Sequence, residues 1–122
     1  MLKIGLTFGS LFALLSIILG AFGAHALKDY LSEYSQSIYD KAVLYQMFHA
    51  LGILVVTLIG ENVESINVSI PIVCFIIGIV FFSGSLYILA ITNIKWFGMI
   101  TPVGGIFFIV GWIIIFYKTL SL

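Results

Sequence analysis

Residues 65–94, SINVSIPIVCFIIGIVFFSGSLYILAITNI, run for thirty positions without a charged side chain. A helix needs only about 17–25 apolar residues to cross a hydrocarbon core about 30 Å thick, so this stretch is long enough to span a bilayer and decides the class of fold. Three more uncharged stretches surround it, at 4–27, 42–60 and 96–117. The chain's ten charges, five lysines and five acids among 122 residues, all lie between or beyond these stretches. A soluble domain of this size carries about a quarter of its residues charged; here 8% are charged and 62% hydrophobic. The expected fold is therefore all-α: a single integral membrane domain over residues 1–122, a four-transmembrane-helix bundle with spans near 4–27, 42–60, 68–94 and 102–118. Water-soluble, disordered and disulfide-rich secreted classes are excluded.

Net charge is zero and the lysines form no cluster, so no electrostatic footprint for nucleic acid exists. Cys74 is the only cysteine and sits inside an apolar run, where it reads as a small buried hydrophobe. In the first stretch Ala24-His25-Ala26 resembles a small-x-small cleavage site. The long uncharged run and the single leading Lys3 point instead to a retained span. Gly5, Gly9, Ala13, Ser16, Gly20 and Gly23 recur every three or four residues, one face of a helix, and such seams let helix backbones approach closely in lipid. Gly104, Gly105 and Gly111, beside Phe108 and Trp112, read in the same way as packing surface in the fourth span.

Residues 28–41, KDYLSEYSQSIYDK, hold five of the ten charges and three tyrosines. They predict a short amphipathic helix lying at the interface between spans one and two. Acidic residues 61–67 form the next link. Thr101-Pro102 reads as an N-cap followed by a favoured first-turn proline, leaving 95–100 as an interfacial connector with Trp96 and Phe97 at headgroup level.

In an up-down-up-down bundle the connectors 28–41 and 95–101 share one side of the membrane. Polar residues gather toward that side: His25, Tyr45, Gln46, His49, Ser83, Ser85, Tyr87, Asn93 and Thr101. Polar groups in hydrocarbon are costly unless they find partners or line a wet cavity, so a candidate polar site is expected there. Tyr45, Gln46 and His49 share one face of the second span. His49 lies about 10 Å inside that helix while His25 lies within a few Å of the end of its own. The offset does not suit two axial ligands of one haem. The plainer reading has His49 in a buried interhelical hydrogen bond and His25 at a helix end. No catalytic residue, metal site or cofactor is expected. Every Asp and Glu sits in a connector, whereas proton-coupled transporters carry a titratable carboxylate within the membrane.

Four groups of residues resemble one known family: Gly20-Ala-Phe-Gly-Ala-His25-Ala-Leu27; Tyr45-Gln46 with His49-Ala50-Leu51; Phe82-Ser-Gly-Ser-Leu-Tyr87; and Thr101-Pro102 with Gly104-Gly105 and Gly111-Trp112. Their order along the whole chain resembles the domain-of-unknown-function 423 family, also called uncharacterised protein family 0382, related to transmembrane protein 256. The resemblance implies a multi-pass bacterial plasma-membrane protein of four helices. It implies no activity, substrate or cofactor.

Three functional classes compete. The favoured one is a non-enzymatic structural or accessory membrane component, as a homo-oligomer or with a small membrane-protein partner. The second is a carrier of a small ligand or solute, with a polar site around His25, Tyr45, Gln46 and His49. The third is a lipid- or quinone-directed enzyme with His49 as base, which lacks an oriented nucleophile. Lys28, Lys41 and Lys95 outnumber Lys3 and Lys118 by one, so the positive-inside rule places both termini outside the cell, with insertion in both orientations as the alternative.

Overall fold

The computed structural model describes all residues from Met1 to Leu122 and contains helices and turns without strands. Four helices are long and apolar enough to cross a membrane. We number them α1 (Leu2–His25), α2 (Glu33–Asn62), α3 (Ser69–Thr92) and α4 (Thr101–Leu120). A five-residue 3-10 turn, Lys95–Met99, leads into α4. The α2–α3 pair is the inner layer; α1 packs along α2, and α4 packs along α3.

The stretch expected to form a separate interfacial helix over 28–41 does not. Residues 26–32 are turns, and residues 33–41 are the opening turns of α2 itself. Ser32 caps that helix, its hydroxyl oxygen accepting from the Ser35 amide at 3.1 Å, and Glu33 places negative charge at the positive end of the helix dipole. Thirty residues make a rod about 45 Å long, which exceeds the hydrocarbon thickness. Asp40 and Lys41 thus mark where the helix leaves the bilayer rather than where it begins.

The start of α4 also differs from expectation. Its N-cap is Ile100, and Thr101 is the first helical residue. The Thr101 hydroxyl lies 2.6 Å from that of Ser85 on α3, a tertiary bond in place of a cap. Asn93 ends α3 in the left-handed conformation, φ 57°, which Asn tolerates better than most residues. Its side chain accepts from the Ser35 hydroxyl at 3.1 Å, tying the end of α3 to the start of α2.

Within α3, Ile79–Ser83 form a π-helical turn. The inserted residue shifts the register. Cys74, Gly78 and Ser85 face inward, whereas Phe81, three residues after Gly78, is exposed and Phe82 turns toward the bundle. Gly104 of α4 meets this turn so closely that a Cβ there would overlap the Phe82 backbone nitrogen. A Cβ on Gly111 would come within 2.5 Å of the Phe75 ring, and one on Gly78 would overlap Phe108.

The other seam joins α1 to α2. Cβ atoms on Gly5 and Gly23 would overlap Thr57 and the Tyr39 ring, and one on Gly9 would lie 2.7 Å from Leu54. Ser16 is buried between them, donating to Ala13 O at 2.8 Å and to Met47 Sδ at 3.5 Å. Gly20 is looser, with Val43 at 3.2 Å from its Cβ position. Each glycine seat is thus matched to a particular neighbour.

These seats predict opposite outcomes for one chemical change. Gly104→Ala forces a methyl into backbone that has nowhere to move, and unfolding in bicelles should show a loss of about 1–3 kcal/mol. Gly84 has nothing within 4 Å of its Cβ position. Gly84→Ala should be neutral or stabilising by up to about 1 kcal/mol through helix propensity. Equal effects of the two would refute the backbone-contact account of Gly104.

Candidate functional site

The buried face of α2 reads Tyr39, Ala42, Gln46, His49 and Ile53, steps of three and four residues that keep one stripe toward the core. His49 lies near the middle of this stripe. Its Nδ1 sits 2.9 Å from the Tyr45 carbonyl oxygen, and its Nε2 sits 3.1 Å from the Trp112 indole nitrogen of α4. A carbonyl only accepts and an indole N–H only donates. The two partners therefore assign a neutral imidazole with its proton on Nδ1 and its lone pair, on Nε2, engaged by Trp112. The Phe108 ring stacks on the imidazole with centroids 3.5 Å apart and planes 6° from parallel. Phe48 and Phe75 present their rings edge-on at 5.3 and 5.4 Å.

One turn toward the N-terminus, Gln46 uses both ends of its amide. Nε2 donates to the Phe12 carbonyl of α1 at 2.9 Å, while Oε1 accepts from the Tyr87 hydroxyl of α3 at 2.8 Å. Gln46 thereby links three helices. Ser83, fully buried in the π turn, donates to the Ala42 carbonyl at 2.7 Å. Tyr39 donates to the Leu19 carbonyl at 2.5 Å and packs edge-on against Tyr87 with centroids 5.2 Å apart. With Ser85–Thr101, these contacts cross every pair of adjacent helices.

Of the residues singled out in the sequence, Gln46, Tyr87, His49, Ser83, Ser85 and Thr101 all engage in such bonds, though in separate links rather than around one polar cavity. His25 is exposed in the last turn of α1 and forms no hydrogen bond with them. The Tyr45 ring leaves the polar face, lying 4.6 Å from Phe82. Its hydroxyl has no hydrogen-bond partner in the protein. Three participants had no chemical role in the sequence reading: Trp112 as donor to His49, Tyr39, and the backbone carbonyls of α1. Tyr39 carries a legible signal, because it stands seven residues before Gln46 on the same stripe. The choice of Trp112 as partner of His49 follows only from the way α4 lies on α3.

Beside His49, α2 and α4 diverge and leave a cavity of about 730 Å³ open toward lipid. Its walls are mainly apolar and aromatic: Tyr45 and Phe48 from α2, Phe82 from the π turn, and Phe108 and Trp112 from α4, with Gly105 forming part of the α4 wall. A Cβ on Gly105 would meet Phe82 only at an ordinary 3.7 Å. Nowhere in the chain do three His, Cys, Asp or Glu side chains converge as a metal site would need.

Comparison with known proteins gives consistent relatives. Residues 19–105 match the family described as "Protein of unknown function (DUF423)". A UPF0382 membrane protein of Staphylococcus epidermidis is 48% identical over 120 residues, covering 98% of both chains. The UPF0382 membrane protein SH2409 of Staphylococcus haemolyticus is 45% identical, covering 97% of this chain and 96% of its own. The UPF0382 membrane protein YwdK of Bacillus subtilis is 42% identical over 115 residues, 93% of this chain and 94% of its own. No solved structure matches significantly. Four membrane-length helices, a family match across most of the chain and near-full-length relatives together make this chain a member of the DUF423/UPF0382 family of membrane proteins.

Proposed function

We propose that the protein is a non-enzymatic structural or accessory component of the bacterial plasma membrane, working as a homo-oligomer or with a small membrane-protein partner. The observation that carries this reading is the commitment of His49: both ring nitrogens are spent on holding α2 together and joining it to α4. A general base needs the lone pair that Trp112 occupies. A polar-solute carrier around Tyr45, Gln46 and His49 needs free donors and acceptors, whereas both ends of Gln46 and both nitrogens of His49 are engaged. Gln46 and His49 serve the helix interfaces.

The connectors 26–32 and 93–100 carry Lys28 and Lys95, and Lys41 lies near the same end of α2. We assign that side to the cytoplasm and both termini to the outside, following the one-lysine excess.

A double-mutant cycle tests the role of His49. His49→Ala, Trp112→Phe and the double variant, unfolded in bicelles, should give a coupling of about 0.6 kcal/mol and at most about 1.7 kcal/mol, the average and maximum of interhelical hydrogen bonds in membranes. Zero coupling would remove the central support for a packing role. For assembly, native mass spectrometry in nanodiscs together with crosslinking in cells should capture a dimer, a higher oligomer or a defined partner. Bare monomer in both would sink the accessory-component reading. For topology, Ser32→Cys and Ser121→Cys, each in a Cys74→Ala background, should react oppositely with an impermeant maleimide on intact cells. Labelling of Ser121→Cys alone is expected, and labelling of Ser32→Cys alone would reverse the assignment.

A further inference from the structure

We propose that the groove between α2 and α4 binds a neutral, ring-bearing isoprenoid lipid of the quinone class, without turnover, from the leaflet nearer the 26–32 and 93–100 connectors. The inference goes beyond a packing role because it concerns a space that packing within the chain leaves unused. At about 730 Å³ the groove falls within the usual range of small-molecule sites. From Gly105 to Ile113 it runs about 12 Å along α4, close to the depth of one leaflet.

Its chemistry narrows the occupant. Tyr45, Phe82, Phe108 and Trp112 offer ring faces and edges, which favour a flat ring in offset or edge-on contact. A saturated acyl chain gains none of that preference. No charged side chain lines the groove, so a phosphate or ammonium headgroup finds no counter-charge. The one uncommitted polar group is the Tyr45 hydroxyl. Tyr45 lies four residues, about 6 Å, along α2 from Lys41, at the depth where a tyrosine keeps an apolar ring in lipid and looks for a partner for its hydroxyl. A ring carbonyl accepts from it.

Gly105 supplies an independent observation. Its neighbour Gly104 is required by contact with the Phe82 backbone, but Gly105 is not: a Cβ there meets only the Phe82 ring at 3.7 and 3.8 Å. Glycine weakens a helix interior, and here that weakness gains no closer helix approach. What the missing side chain leaves is room beside Phe82, whose ring also touches Tyr45. A quinone ring seats in that room with its carbonyl toward Tyr45, and its isoprenoid tail runs inward past Phe48 and Trp112.

The test uses the full chain in phosphatidylcholine nanodiscs with Trp96→Phe, leaving Trp112 as the only tryptophan. Titration with a naphthoquinone bearing two isoprene units should quench Trp112 fluorescence saturably. Tyr45→Phe should weaken binding about three- to tenfold, the effect of one hydrogen bond. Gly105→Leu should weaken it at least tenfold while circular dichroism is unchanged and the unfolding midpoint does not fall. Should Gly105→Leu fail to fold, an azido-naphthoquinone with the same tail, photolysed with the unmutated chain, should label residues 44–48 and 105–113. Quenching that rises linearly and equally in Gly105→Leu overturns the proposal. So does equal competition by a saturated isoprenoid alcohol of the same length, which assigns the groove to chains rather than rings. Label spread evenly over all lipid-facing helices, or crosslinks showing a second copy seated in the groove, would overturn it as well.

Discussion

Hydrocarbon offers no water to a polar group that loses its partner, and this constraint organises the protein. Each bond that a buried side chain makes must be found inside the bundle. Hydrophobic burial cannot choose one helix arrangement over another in a solvent as apolar as leucine, so packing fit and these few bonds must do so. Gln46 shows the consequence. By donating to α1 and accepting from α3, it makes the placement of both helices conditional on the rotation of α2. A quarter-turn of α2 would strand an amide, a phenol and an imidazole together.

The glycine seats impose the complementary condition. Gly23 receives Tyr39, Gly111 receives Phe75, and Gly104 receives the backbone of the π turn. In each case the small residue lets a larger neighbour reach the position where its polar or aromatic contact is made. Tyr39 reaches the Leu19 carbonyl because Gly23 yields its space. The π turn plays a similar part in α3. It places Phe82 and Ser83 inward in succession, so that Ser83 meets Ala42 of α2 while Phe82 meets Gly104 of α4.

The four spans were legible because ten charges among 122 residues leave unmistakable gaps. Their ends were less so. Asp40-Lys41 looks like a helix boundary only if charge is equated with the end of a helix; the true start at Ser32 carries its own signal, a serine cap followed by Glu33. Thr101 before Pro102 has the composition of a cap, yet its hydroxyl goes to Ser85, a choice set by a helix sixteen residues away. The polar residues on α2 were found from their spacing, whereas their partners were not. Backbone carbonyls carry no residue identity to read, and Trp112 looked like one more packing aromatic. His25 shares its type with His49 but not its depth, and an exposed helix end asks nothing of an imidazole.

The join between α2 and α4 is unlike the others. Along α1–α2 and α3–α4, glycine seats bring helices close over several turns, but α4 meets α2 through side chains: the His49 imidazole stacks on Phe108 and bonds Trp112, which also lies over Gly52 and beside Phe48. Two rings and one hydrogen bond are enough to fix a distance without closing it. The contact that satisfies the buried histidine thus also borders the groove, for His49 and Trp112 both stand in its wall.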